Sequence, residues 1–242
     1  MKQKIKKMLG KRIVNLLSPI KKKYLDRYSL KIYAQDGEDI ILKEFLAHTK
    51  KCFYVDIGAH HPQRFSNTYL FYKKGWKGIN IDAMPSSMKL FNRFRKRDIN
   101  LEIGISEKES ILTYYMFNEP GLNGFSKELS EERNTNTPYK IINKKEIKTF
   151  PLSVILDKYL SENQKIDFMN IDVEGLDFEV LKSNNWKKYK PEFILIEIGK
   201  RTINEILSDP IYKYILNKNY VLVAKTYRTC IFKRRVKWTL HQ

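Results

Sequence analysis

From residue 50 on, short apolar runs alternate with stretches of helical spacing, and this rhythm constrains the fold more than any single motif. CFYVDIGAH (52–60) reads as a buried strand that ends in a turn. GINID (78–82), INLEIGIS (99–106), IDFMNIDV (166–173) and EFILIEI (192–198) repeat the pattern, and ILTYYMF (111–117) adds a further strand. Runs of β-branched and aromatic residues bounded by Gly, Asp and Asn are strand signals. Between them, SNTYLFYKK (66–74), PSSMKLFNRFRKR (85–97), LSVILDKYL (152–160) and a stretch at about 176–184 have helical spacing. Ser66 is placed to cap the first of these helices and Gly75 to close it. IYKYILNKN (211–219) predicts a helix, and YVLVAK (220–225) with TCIFKR (229–234) a closing pair of strands. Strands alternating with helices predict a parallel, doubly wound α/β sheet. Residues 118–147 are polar and read as irregular, which suits an insertion or lid.

Composition supports one such domain. Hydrophobic residues make up 42% of the 242 and aromatics 13%, enough for a core. That excludes a wholly disordered chain and a disulfide-stapled mini-protein. No apolar run reaches the roughly 18–20 residues of a membrane-spanning helix. Cys52 and Cys230 sit in strand-like stretches, and no secretory signal pattern opens the chain. Free buried thiols and the cytosol are therefore expected.

Charge is the unusual quantity. Lys and Arg number 46 against 27 Asp and Glu, a net +19. Residues 1–33 hold eleven of these cations and a single acid, Asp26. Within 2–24, Ile5, Met8, Leu9, Ile13, Leu16, Leu17 and Ile20 recur at helical spacing among lysines, with Pro19 interrupting the pattern. Such a basic amphipathic segment suits an anionic membrane face or a helix docked on protein. A second basic cluster runs from Lys225 through Arg228, Lys233, Arg234 and Arg235 to Lys237. The balance favours anionic partners; a Lys-rich genome would produce it too.

In doubly wound sheets ligands bind outside the carboxyl ends of the strands. Here those ends carry acids: Asp56, Asp82, Asp172 with Glu174, and Glu197. Acids gathered on one rim repel one another unless a cation or hydroxyl binds among them. Gly58 follows the first strand and lets backbone approach a ligand closely. Asp82 ends the next strand 26 residues after Asp56, a spacing that suits an acid bonding both ribose hydroxyls of a nucleoside. A dinucleotide cradle would need a run like G-x-G-x-x-G. This loop instead has Gly58 followed by His60, His61 and Pro62, which disfavours NAD and FAD. An acid beside the turn suits a cationic ligand such as S-adenosylmethionine.

Several stretches together resemble one family. YAQDGEDIIL (33–42), FYVDIGAHHP (53–62), SNTYLFY (66–72), GWKGINIDAMPSSM (75–88), FMNIDVEGLDFEVL (168–181) and ILIEI (194–198) resemble the FkbM family of S-adenosylmethionine-dependent methyltransferases. The resemblance spans about residues 33–198. It implies the class I methyltransferase fold, a Rossmann-like sheet that is mostly parallel with an antiparallel C-terminal strand. It implies methyl transfer to oxygen on sugars, glycolipids or polyketides. It further implies that Asp56, Gly58 and Ala59 form the nucleotide-binding turn and that Asp82 takes the ribose. Gly104 or Ile105 would then flank the adenine, and Asp172 would face the methionine part or the acceptor. Gln35 and Glu38 fall in the upstream segment expected to fold over the cofactor. On this view residues 1–32 are a separate basic segment and 33–242 the methyltransferase domain.

The chemistry needs an aligned hydroxyl and a base. Asp172 and Glu174 are the leading candidates for that base. His60 offers a second, with a histidine bonded to backbone as the plainer account. Asp172 and Glu197, at the ends of neighbouring strands, suit Mg²⁺ or Mn²⁺ through oxygen ligands alone; Glu197 paired to a nearby cation is the alternative. Asn67 and Thr68 open a helix near the methionine end. The stretch from Tyr114 to Asn123 mixes aromatics, amides and Glu119, as a sugar pocket does, and Arg133 could hold a phosphate on the acceptor. The reading is therefore an O-methyltransferase for a sugar-type acceptor, phosphorylated or nucleotide-linked, acting in the cytoplasm, with peripheral membrane contact through residues 1–33. A nucleic-acid methyltransferase or binder is the runner-up on charge, but no base-methylation or RNA-binding motif accompanies it. A membrane-surface protein with a vestigial fold is the third.

Overall fold

A computed structural model describes residues 30–200 and 202–235. The basic segment expected over 2–24 lies outside them, as does Lys237. The larger compact unit begins at Tyr33. Its elements are α1 (Glu38–Phe45), β1 (Phe53–Ile57), α2 (Tyr69–Lys73), β2 (Lys77–Asp82), α3 (Met88–Phe94), β3 (Ile99–Glu102), β4 (Gly104–Ile105) and β5 (Ser110–Phe117). A 3-10 turn (Pro120–Leu122) leads to α4 (Lys127–Asn136), β6 (Ile141–Phe150), α5 (Leu152–Tyr159), β7 (Phe168–Ile171), α6 (Asp177–Ser183) and β8 (Phe193–Glu197). α7 (Ile203–Ser208), α8 (Pro210–Asn217), β9 (Tyr220–Lys225) and β10 (Thr229–Arg234) complete it.

Seven strands form one sheet in the order β3-β2-β1-β7-β8-β10-β9. Neighbours from β3 to β8 run parallel, and β10 is antiparallel to both β8 and β9. The order reverses between β1 and β7, which opens the crevice where ligands of such sheets bind. Both faces are buried, so the strands read as continuous apolar runs. Alternation survives in the packing. Ile194 and Ile196 of β8 join a core with Leu152, Leu156, Val180 and Leu181. Phe193 and Leu195 point the other way, to Leu42, Phe71 and Trp76. Cys52 and Cys230 are buried and unpaired.

Three sequence expectations change. INLEIGIS is not one strand: β3 pairs with β2, whereas β4 leaves for a second sheet of order β4-β6-β5. Gly104 marks the departure, because a Cβ there would lie 2.7 Å from Thr149 and 2.8 Å from Phe125. Residues 118–147 are not irregular either, since α4 and most of β6 fall within them. IINKKEIKTF carries three lysines and a glutamate, so β6 lacks apolar alternation; its pairing with β5 makes it a strand. Helices α1 and α7 are present in addition to those expected. Ser66 is not the N-cap: the helix begins at Tyr69 after Thr68, and Ser66 Oγ accepts from Tyr69 N at 3.2 Å from two residues before Thr68. Among the described residues no helix is long and apolar enough to cross a membrane.

Candidate active site

The carboxyl ends of β1, β2, β7 and β8 meet at a cavity of about 650 Å³. Asp56, Asp82, Asp172, Glu174 and Glu197 all line it, as do Gly58, Ala59, His60 and Gln35. The structure thus brings the expected acids to one site. Glu38 does not join them. It is buried against Thr226, whose hydroxyl donates to it at 2.6 Å, and against the Asp36 backbone N–H.

The turn after β1 is seated between its neighbours. Gly58 N and Ala59 N both donate to Ile81 O, at 2.9 and 3.0 Å, and Asp172 N donates to Ile57 O at 2.9 Å. Gly58 has φ +82, and a Cβ on it would lie 1.6 Å from the Asp172 carbonyl oxygen. Glycine is therefore required by the chain's own close approach, where the sequence suggested approach to a ligand.

Asp82 is held by backbone. Its Oδ2 accepts from His60 N at 2.8 Å and its Oδ1 from Met84 N at 2.7 Å. Burial nevertheless pushes its pKa up to about 6. Asp56 is deeper. Thr68 Oγ1 donates to its Oδ2 at 2.8 Å and Asn170 Nδ2 to its Oδ1 at 2.9 Å. Asn67, on the cavity wall, donates to Asn170 at 2.8 Å. Behind them lies Arg95, fully buried. Its Nη2 donates to Thr68 Oγ1 at 3.0 Å and to the Tyr54 hydroxyl at 2.8 Å, its Nη1 to Pro62 O at 3.0 Å, and its Nε to Asp98 at 2.8 Å. This network ties the floor of the site to β1 and β7, and to β2 where Asn80 Nδ2 donates to Asp98 at 3.0 Å. It was not legible in the sequence, because Arg95 sits in the run RFRKR, which looks like a solvated surface. Burial raises the Asp56 pKa, and Asn170, Thr68 and Arg95 each pull it back.

Carboxylate oxygens of Asp172, Glu174 and Glu197 lie within 4.8 Å of one another. Glu174 enters this group because the chain turns sharply after β7, with φ +54 at Glu174 and +107 at Gly175. All three pKa values are raised, chiefly by burial, and for Asp172 also by the charges of Glu174 and Glu197. Arg133 of α4 donates to Glu174 at 2.5 Å and to Leu122 O at 3.3 Å. The segment expected as an irregular insertion or lid is thus helical here and supplies a cation to the acid rim. Arg228, in the turn between β9 and β10, also lines the cavity and pairs with Asp36 at 3.1 Å.

His60 lines the cavity with its Nε2 3.4 Å from the Arg64 guanidinium. Burial, Arg64 and His61 lower its pKa, so it is neutral near pH 7. His61 is occupied locally: its Nδ1 accepts from Gln63 N at 3.1 Å and Arg64 N at 2.9 Å. Ile103, Ile105 and Tyr114 give the cavity an apolar wall, while Gly104 faces Thr149 and Phe125.

A seven-stranded sheet of this order, with an acid at the end of each central strand around one cavity, is the Rossmann-like fold of class I methyltransferases. The model of the Methyltransferase FkbM domain matches residues 56–222, more than half of the chain. The chain belongs to the FkbM methyltransferase family. No curated protein is close enough in sequence to count as a relative. Among solved structures, the chain is similar to a Klebsiella pneumoniae protein with a provisional O-methyltransferase assignment. Identity is 9% and the TM-score 0.45, over 86% of this chain and 83% of that one.

Proposed function

We propose that this methyltransferase uses S-adenosylmethionine to methylate a hydroxyl of a sugar-type acceptor, such as a nucleotide-sugar or a cell-surface glycan precursor, in the cytoplasm. The observation that carries the reading is the pairing of two acid groups on one cavity: Asp82 beside the Gly58 turn, and Asp172 with Glu174 and Glu197 opposite. The donor set fits the cofactor. Asp82 keeps lone pairs for ribose hydroxyls, Ile103, Ile105 and Tyr114 offer an apolar wall for the adenine, and Gln35, Asp56 and Asp172 surround the place for its cationic end. When bound, S-adenosylmethionine supplies a methyl group already activated on a sulfonium.

The chain must then align the hydroxyl and take its proton. A sugar hydroxyl titrates far above neutral, so a carboxylate within hydrogen-bond reach is needed. Asp172 and Glu174 qualify by position, and their raised pKa values make them stronger bases than an ordinary carboxylate. The proton would pass from the hydroxyl to the carboxylate and on to solvent, and the oxygen's electron pair would bond the methyl carbon as the methyl–sulfur bond breaks and its pair returns to sulfur, leaving a neutral thioether. Arg133 orients Glu174 for this work. His60 is a weaker candidate, because its Nε2 faces Arg64. The oxygen-only set of Asp172, Glu174 and Glu197 fits Mg²⁺ or Mn²⁺, which would lower the hydroxyl pKa.

Calorimetric binding of S-adenosylhomocysteine to wild type and Asp82→Ala tests the cofactor site. Micromolar binding weakened about tenfold or more in the variant is expected. An acceptor screen with and without EDTA comes next. A folded wild type that binds no S-adenosylhomocysteine would overturn the reading.

A further inference from the structure

Acids crowd the carboxyl edge of the sheet, and the opposite edge is basic. There α2 ends in Lys73 and Lys74, β2 opens at Lys77, and the chain leaves α3 through Arg93, Lys96 and Arg97, all exposed. Lys89, on the first turn of α3, brings the exposed cations between Tyr69 and Arg97 to seven. The sole acid of that stretch, Asp82, is buried at the far edge. Asp98, next along, is buried in its pair with Arg95. Arg97 donates to the Tyr72 carbonyl and lies 3.8 Å over the Tyr72 ring, which joins the ends of α2 and α3 into one surface.

Helix carboxyl ends attract cations. That accounts for one or two of these residues and not for the apolar stripe among them. Leu90 and Phe94, four residues apart on α3, are 44% and 42% exposed. Lys89 and Arg93 run beside them at the same spacing, Arg97 follows in the turn after the helix, and the Arg93 guanidinium lies 5.3 Å from the Phe94 ring. Exposed Leu and Phe flanked by cations is the composition of a surface that enters the headgroup region of a bilayer.

We propose that this edge of the sheet docks on an anionic lipid surface. The chain's own ends have the wrong charge to be the occupant: residues 1–33 hold eleven Lys and Arg against Asp26, and the C-terminal residues are basic too. A second copy would bring the same cations. Duplex nucleic acid would match the charges but offers no apolar layer to receive Leu90 and Phe94. The inference is independent of the chemistry in that cavity.

Co-sedimentation of the full chain with vesicles tests it. Phosphatidylcholine alone is compared with phosphatidylcholine containing phosphatidylglycerol. Wild type is expected to pellet only with the anionic vesicles. Lys89→Gln with Arg93→Gln should weaken that partition about twentyfold or more, at about fivefold per charge. Leu90→Ser with Phe94→Ser should weaken it severalfold. Both double variants alter exposed side chains and should keep wild-type thermal unfolding. The proposal fails if wild type ignores anionic vesicles, or if both double variants bind as wild type does. It also fails if only the charge variant is affected and duplex DNA binding shows the same pattern, which would identify nucleic acid as the partner.

Discussion

Replacing Thr68 with valine removes one buried hydroxyl and changes almost no volume, so it isolates the polar network beneath the cofactor turn. In wild type that hydroxyl donates to Asp56 at 2.8 Å and accepts from Arg95 at 3.0 Å. Without it Asp56 keeps Asn170 alone, and Arg95 Nη2 keeps the Tyr54 hydroxyl. A hydrogen bond to a charged group is worth about 1.5–3 kcal/mol, and a buried group left short of a partner costs a similar amount. The two losses overlap, so the variant should be less stable by about 3 kcal/mol, or about 6–12 °C in Tm for a domain of this size. The pH dependence identifies the cause. Burial already holds the Asp56 pKa high, and Asp98 adds to that, while Asn170, Thr68 and Arg95 oppose it. Losing Thr68 moves the folded-state value further up. A raised folded-state value costs stability where the carboxyl is ionised. The deficit should therefore be largest at neutral and alkaline pH and shrink as the pH falls and Asp56 takes a proton. Denaturant unfolding of wild type, Thr68→Val and Thr68→Ser across pH measures this, with serine restoring most of the loss. A deficit below about 0.5 kcal/mol, or one that ignores pH, would refute the argument.

Gly58→Ala puts a methyl 1.6 Å from the Asp172 carbonyl oxygen at φ +82. It should cost at least about 2 kcal/mol and lower S-adenosylhomocysteine affinity; unchanged unfolding and calorimetry would contradict the seating of the turn. With Asp82 titrating at about 6, binding of S-adenosylhomocysteine should decline as pH falls through that value, because the protonated acid accepts less well from ribose hydroxyls. Asp82→Asn should flatten the profile, and a flat wild-type profile would remove Asp82 from the ribose. If Asp172, Glu174 and Glu197 hold a divalent ion, Mg²⁺ or Mn²⁺ should raise the Tm of wild type and leave Glu197→Gln unmoved. No shift in wild type at millimolar metal would discard the site.

The central strands and the acids at their ends were legible because both are local. Ile79-Asn80-Ile81-Asp82 announces a strand and its last residue without help from elsewhere in the chain, and the DIGA turn requires a glycine wherever it lands. β6 was hidden, because a strand with one solvated face and three lysines looks like a loop until β5 pairs with it. Arg95 was hidden for the opposite reason. Nothing in RFRKR says that one of its cations turns inward to Asp98, Tyr54 and Thr68 while its neighbours stay in water. The acid cluster divides the same way. Asp172 and Glu197 could be placed on adjacent strand ends, whereas Glu174 joins them only through the left-handed turn at 174–175. Its partner Arg133 arrives from 41 residues away, and Arg228 meets Asp36 across 192. By itself the sequence determined the doubly wound class, the central strands and the acid rim, because period and turn chemistry act between near neighbours. Tertiary structure decided which charges are buried and which cation meets which acid. Those depend on desolvation and on contacts between segments far apart in the chain, and no local pattern records them.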